Sequence, residues 1–248
     1  MFVRINAVFM FVLLQVLAMP GWAEEEPEEG LSAIAEHMHS HLDQISLIKN
    51  AVIAGDLDAI RKPAVWLATH EIPKGLTGAW LPYVQEMRRY ASRAAAAEDL
   101  VAAAGAISEI ARTCGDCHRA SGFSIAFGMD ERPPADQQSL MTQMQRHLWA
   151  ADRMWEGLIG PSDGAWNRGA DILSEVNLVT SDIVGAGTKG ASALENQAEI
   201  SELLGRARDM GEMGGQATSV ELRSGLYGQF LSSCASCHKL TGGGPGAR

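Results

Sequence analysis

Apolar residues recur along this chain at spacings of three and four, which is the period of an amphipathic α-helix. No long stretch of β-branched residues alternates with polar ones, as a half-buried strand would require. The pattern therefore predicts an all-α protein. The first apolar stripe comprises Leu31, Ile34, Met38, His41, Ile45, Ile48 and Val52.

Turn and capping signals divide the first part of the chain into four predicted helices. Gly55 ends the first helix, and Asp56 can cap the second. Pro63 is predicted to bend the second helix or to mark a later start. A loop over 75–82 precedes the third helix, which is predicted over 83–97. The fourth helix carries the apolar seam Leu100, Ala104, Ile107, Ala111, Cys114 and His118.

The helical pattern begins again after a connection. Residues 121–136 contain glycines and a proline pair, which cannot continue a helix. Beyond them the segment around His147 aligns with the segment around His41, and this similarity indicates an internal duplication. The second stripe comprises Leu140, Met144, His147, Ala151, Met154 and Leu158.

The rest of the second copy follows the same order. Gly160 ends its first helix, and Ser162 or Asp163 can cap the next one. The stretch Thr180–Ser192 is rich in Gly, Ser and Thr and predicts a flexible loop, followed by a helix over 193–210. The last seam comprises Val220, Ser224, Tyr227, Leu231, Cys234 and His238.

Two motifs of the form Cys-x-x-Cys-His use all four cysteines of the chain. Two thiols three positions apart can each form a thioether with one vinyl group of a porphyrin, and the adjacent imidazole can bind its iron. A zinc knuckle would need a second pair of ligands, and a redox dithiol would favour a βαβ context that is not seen here. The spacing therefore predicts two covalently attached haems c. The motif residues are Cys114, Cys117, His118, Cys234, Cys237 and His238.

The position of the second motif narrows the architecture. Only ten residues follow His238, whereas the common small cytochrome c fold has its motif near the N-terminus. A motif on the last helix of a bundle resembles the cytochrome c′ family, the class II c-type cytochromes. The resemblance implies two tandem four-helix bundles, over 24–130 and 131–248, each with a C-terminal haem motif.

The beginning of the chain has the features of an export signal. Arg4 precedes an apolar segment, and Gly21-Trp22-Ala23 provides small residues for cleavage after Ala23. Residues 1–23 are therefore predicted to be a signal peptide of a periplasmic protein without stable membrane insertion, and an uncleaved anchor is the less favoured alternative. The chain has a net charge of −10, and loss of Arg4 makes it one unit more negative. This acidity disfavours nucleic acid as a partner.

The sequence offers more than one candidate for the distal ligand of each iron. His41 and His147 occupy equivalent places on the two stripes, which favours them as iron ligands. Met38 and Met144 are the alternative ligands, and an open iron is the third possibility. The remaining histidines have no counterpart in the second copy and are predicted to be surface residues; they are His37, His39 and His70.

Six-coordinate irons predict an electron carrier rather than an enzyme, since small molecules then have no free coordination position. Its partners would be periplasmic redox proteins, with basic docking surfaces as one option, and the oligomeric state is left open. An open iron would instead predict a protein that binds or senses NO or CO, as five-coordinate members of the cytochrome c′ family do. A dihaem peroxidase is less favoured, because those enzymes are longer and use the other cytochrome fold.

Overall fold

A computed structural model describes residues 27–72, 78–123, 125, 127–128, 131–134, 139–185 and 196–244. These residues form nine helices and no strand, which confirms the all-α prediction. The helices of the first half are α1 (Pro27–Ala54), α2 (Leu57–Thr69), α3 (Leu81–Ala95) and α4 (Leu100–Ser121). Those of the second half are α5 (Leu140–Ile159), α6 (Asp163–Glu175), α7 (Thr180–Gly185), α8 (Gln197–Gln216) and α9 (Val220–Thr241).

Side-chain caps begin several of these helices where the sequence predicts them. The Asp56 carboxylate accepts a hydrogen bond from the Ala59 amide at 3.0 Å, at the start of α2. Of the two candidate caps for α6, Ser162 is the one used, and its hydroxyl accepts from the amide of Ala165. Each cap satisfies an amide that has no partner within its own helix.

Two local predictions are wrong. Helix α2 begins at Leu57 and continues through the buried Pro63, so the helix does not start later, and packing compensates for the missing backbone donor. The alternative, a bend at Pro63, stays a prediction. The stretch predicted as a flexible loop begins with a short helix, α7, in which Ile183 is buried. Burial of this apolar side chain provides a reason for order that the local composition did not reveal. Residues 186–195 lie outside the described part of the chain.

Helices that follow one another in the chain pack side by side. In the first half α1 packs on α2, α2 on α3 and α3 on α4; in the second half α5 packs on α6, α6 on α8 and α8 on α9. The predicted seams supply the buried side chains, and one continuous apolar core extends through both halves. Its largest fully buried members include Ile48, Ile60, Leu67, Ile107, Met154, Trp166, Leu173 and Phe230.

The main contact between the halves is made by α4 and α9, the two helices that carry the cysteine motifs. A Cβ atom added at Gly228 would lie 2.9 Å from the Ser108 hydroxyl, so the glycine permits this close approach. Beside this contact the Ser224 hydroxyl donates to the Glu109 carboxylate at 2.7 Å. Arg112 donates to the other oxygen of the same carboxylate at 2.9 Å. A largely buried polar network therefore joins α9 to α4.

A half-buried ion pair is a second link between the halves. The Lys49 ammonium of α1 pairs with the Asp152 carboxylate of α5, and the Lys49 side chain is only 8% exposed. The ammonium also lies 5.8 Å from the centre of the Trp155 ring. Removing Asp152 would be costly, because the buried Lys49 ammonium would be left with little solvation. The pair therefore favours one arrangement of α1 against α5.

The described helices include none that is long and apolar enough to cross a bilayer. The predicted signal peptide, residues 1–23, lies outside the described residues, and its cleavage after Ala23 stays a prediction.

The Glu109 network predicts a pH-dependent contribution to stability. Burial alone would raise the pKa of Glu109, but hydrogen bonds from Ser224 and Arg112 outweigh it and lower the pKa from its ordinary value of 4.5. A lowered pKa in the folded state stabilises the fold above pH 4.5, and this contribution disappears as the pH falls through the lowered value. We expect Glu109→Gln to reduce the free energy of unfolding by about 1–2 kcal/mol at pH 7.

The measurement is urea unfolding of the mature protein and the variant between pH 3 and pH 7. The difference between the two proteins should shrink at the acidic end, because the wild-type carboxylate is then protonated. Glu98→Gln, at an exposed position before α4, serves as the control. A Glu109→Gln deficit that does not change with pH would contradict the charge-based explanation.

Candidate functional site

The two cysteine motifs lie in equivalent places, near the C-terminal ends of α4 and α9. All four thiols are half-buried and none forms a disulfide. Because α-helical residues three and four apart lie on one face, each pair of thiols and its histidine can approach a single ligand. Covalent attachment of haem through these thiols stays a prediction.

The protonation of the thiols distinguishes this site from a reactive dithiol. Burial, and then the charge of Cys117, raises the pKa of Cys114 to about 12. Burial, and then the charge of Cys237, raises the pKa of Cys234 to about 12 as well. A catalytic or redox-sensing cysteine has a lowered pKa, since the thiolate is the nucleophile. These thiols are neutral at pH 7, which disfavours the dithiol alternative.

The histidine of each motif is held by a backbone carbonyl of the other half. His118 Nδ1 lies 2.7 Å from the carbonyl oxygen of Ile159, and His238 Nδ1 lies 2.6 Å from that of Ile53. A carbonyl can only accept, so each Nδ1 carries the proton and donates. Each Nε2 then has the free lone pair that a metal ion requires.

The two carbonyls that accept these bonds belong to the last turns of α5 and α1. A carbonyl there has no amide four residues further along the same helix, so it needs a partner from elsewhere. Ile53 follows His41 by twelve residues, and Ile159 follows His147 by the same number. The two bonds are therefore the same interaction made twice and crossed between the halves.

A close backbone contact accompanies the bond from His118. A Cβ atom added at Gly115 would lie 2.0 Å from the carbonyl oxygen of Leu158, the residue before Ile159. Only glycine allows α4 to lie this close to the end of α5. The equivalent residue of the second motif is Ala235, so a methyl group at this place is compatible with the motif itself.

In the second half, the predicted ligand His147 is half-buried and its ring meets the edge of Phe230 at 5.8 Å between ring centres. Burial, and then the charge of His238, lowers the pKa of His147 to about 4. The imidazole is neutral at pH 7, as a metal ligand must be. Met144, the alternative ligand one turn earlier, is also half-buried.

In the first half, the surroundings of His41 differ from this arrangement. His41 is only 8% exposed, and its Nε2 is buried without a hydrogen-bond partner. Burial, and then the charges of His37 and His70, lower the pKa of His41 to about 3. Its ring lies 4.2 Å from that of His37 and 5.6 Å from that of His70, between ring centres.

The prediction that the remaining histidines are surface residues is therefore wrong for two of them. His37 and His70 are half-buried, and their rings stack at 5.0 Å. His70 terminates α2, and the fold brings this helix end beside α1, a proximity that sequence spacing does not reveal. His39 is exposed, as predicted.

The apolar stripes are less well covered near these histidines than elsewhere. Ile34 and Met38 are half-buried on α1, as are Leu140 and Met144 on α5, whereas the C-terminal parts of both stripes are fully buried. Partly covered apolar surface beside neutral nitrogen and sulfur groups is what a flat apolar cofactor would complete. The residues present therefore fit the group that the motifs predict.

Sequence reasoning missed the two carbonyl acceptors and the role of Gly115. The signal for the carbonyls was present, because Ile53 and Ile159 occupy equivalent places in the duplication. Their crossing between the halves had no signal in the sequence.

Comparison with known proteins gave no match to a protein family, to a curated protein or to a solved structure.

The close contact at Gly115 predicts that two glycine-to-alanine substitutions in α4 have opposite effects on the free energy of unfolding. Gly115→Ala should reduce the free energy of unfolding by about 1–3 kcal/mol, because the end of α5 must move away from the added methyl group. Gly105→Ala is the matched control, since a Cβ atom there meets nothing within 4 Å. It should stabilise the helix by about 0.5–1 kcal/mol. Urea unfolding of both variants checks this, and equal stabilities would contradict the contact.

Proposed function

We propose that the mature protein is a periplasmic dihaem c-type cytochrome that carries electrons between redox partners. It would consist of two tandem bundles similar to cytochrome c′, over 24–130 and 131–248. The observation that carries the proposal is the repeated site: a Cys-x-x-Cys-His motif near the end of a helix, with its histidine Nδ1 bonded to a backbone carbonyl.

The thiols would hold the cofactors through Cys114 and Cys117 in one site and Cys234 and Cys237 in the other. His118 and His238 would bind the irons through Nε2. A carbonyl that accepts from Nδ1 fixes the orientation of the ring and makes the ligand more basic. When bound, haem supplies an iron that changes between the ferrous and ferric states by one electron.

On the distal side we propose His147 in the second site, with Met144 as the alternative. Its neutral, half-buried imidazole near His238 supports this assignment. For the first site we propose His41, with Met38 as the alternative. The unpartnered Nε2 of His41 supports a metal as its missing partner.

A specific observation favours the second candidate function, gas binding at an open iron. His41 is in contact with His37 and His70, and this cluster competes with an iron for its imidazole. If His41 stays in the cluster, the first iron has a free position for NO or CO. The two candidates differ in whether a reduced protein binds CO.

The negative charge of the chain bears on the partners that it would bind. An acidic chain favours redox partners with basic docking surfaces, since opposite charges steer association. We propose no catalytic residue, because the groups of the site serve to bind and orient a cofactor.

The number of covalent cofactors is the first test. After acid and acetone extraction, the intact mass of the mature chain should exceed the mass of the polypeptide by two haems, because thioether bonds survive this treatment. Replacing Cys234 and Cys237 together by Ala should reduce the increase to one haem. A wild-type chain without added mass would overturn the proposal.

The distal ligand of the second site is the subject of the next test. His147→Ala should make one of the two haems high-spin and able to bind CO, while the other keeps the spectrum that it has in the wild type. Absorption spectra of the reduced protein with and without CO measure this.

Met144→Ala is the matched control, because Met144 lies on the same helix one turn earlier and is also half-buried. It should leave both spectra unchanged. If the methionine change opens the iron and the histidine change does not, the ligand is the thioether. If the wild type already binds CO at both haems, gas binding replaces electron transfer as the better supported function.

A further inference from the structure

Three histidines of the first half converge at a place that the duplication does not explain. His37 and His41 lie one turn apart on α1, and His70 is the residue that ends α2. One nitrogen from each ring can be chosen so that all three lie within 4.8 Å of one another. The second half has no such cluster, since its only histidines are His147 and His238.

Side-chain contacts from neighbouring helices surround the cluster. Trp66 stacks on His70 at 3.9 Å between ring centres and meets His41 edge-on at 5.7 Å. Arg88 of α3 donates to the backbone carbonyl of His70 and so fixes the end of α2. The rings are thus positioned by three helices rather than by chance exposure.

One histidine of the cluster has a buried polar atom without a hydrogen-bond partner. His41 is more than nine-tenths buried, and its Nε2 has no hydrogen-bond partner. Burying such a group without a partner destabilises the folded protein. The unpaired nitrogen is explained if it binds a ligand when the protein functions. Two further imidazoles beside it supply the same kind of donor.

Three imidazole nitrogens suit a divalent transition-metal ion. Zinc binds histidine nitrogen at about 2.0–2.1 Å, which places neighbouring tetrahedral ligands about 3.4 Å apart. Since the nitrogens lie within 4.8 Å of one another, they must approach by at most about 1.4 Å. Small changes in the side-chain torsion angles of the half-buried His37 and His70 are enough for this. The guanidinium of Arg88 opposes a cation here, so the ion must gain enough from three ligands to overcome this repulsion.

We propose that His37, His41 and His70 bind one divalent transition-metal ion, of which Zn²⁺ is the probe. Three protein ligands leave the fourth position for water. This site goes beyond the proposed function, and it has a consequence for it. The Nε2 of His41 cannot bind this ion and the first iron at once, so metal binding leaves the first iron without that ligand.

The test is calorimetric titration of the untagged mature protein with Zn²⁺. Wild type should bind one ion through the cluster. His37→Gln and His70→Gln should each weaken this binding at least about tenfold, the size of effect seen even for groups that only support a metal ligand. His39→Gln is the matched control, because His39 lies on the same helix, is exposed and is outside the cluster. It should bind as the wild type does.

A second measurement does not depend on the folding of any variant. The zinc X-ray absorption spectrum of the wild-type complex should contain imidazole and oxygen ligands without sulfur. No binding of zinc, binding that does not change in either glutamine variant, or sulfur ligands would overturn the site.

The haem content of the same samples is measured separately by mass. A chain that binds zinc through the histidines and carries no haem would contradict the proposed function but support the zinc site. A chain with two haems and no zinc site would contradict the zinc site but leave the proposed function standing.

Discussion

The end of an α-helix leaves carbonyl groups without partners, and the candidate sites of this protein use two of them. The carbonyls of Ile53 and Ile159 each accept from the motif histidine of the opposite half. An unpaired buried carbonyl would cost about 1–3 kcal/mol, so these bonds matter to stability as well as to the orientation of the rings. The position of α1 and α5 relative to the motif helices follows from them.

This constraint explains other features of the contact between the halves. Helix α4 approaches the end of α5 closely enough to require glycine at Gly115. Near the centre of the contact, α4 and α9 are joined by the bond from Ser224 to Glu109, and α1 and α5 by the pair of Lys49 and Asp152. Each half therefore supplies the carbonyl that orients the motif histidine of the other half.

The two copies have diverged around a common plan. Lys49 and Trp155 occupy equivalent positions, eight residues after His41 and His147 respectively. They contact each other across the interface. His147 stands beside Phe230, whereas His41 stands among other histidines. Because axial ligands and their surroundings tune a cofactor, two such sites in one chain would differ in their properties. Under the proposed function, such unequal sites would suit stepwise transfer of electrons.

The sequence by itself determined the helical class, most helix ends and the residues of the two motifs. These features depend on local chemistry: the period of apolar residues, the caps at Asp56 and Ser162, and the fixed spacing of thiols and histidine. The duplication also indicated that His41 and His147 are equivalent. Only the tertiary structure decided that the motif histidines bond across the halves, that Gly115 meets Leu158, and that His70 joins His37 and His41. The physical reason is that these contacts join residues distant in the chain, and no local periodicity records which helix ends meet.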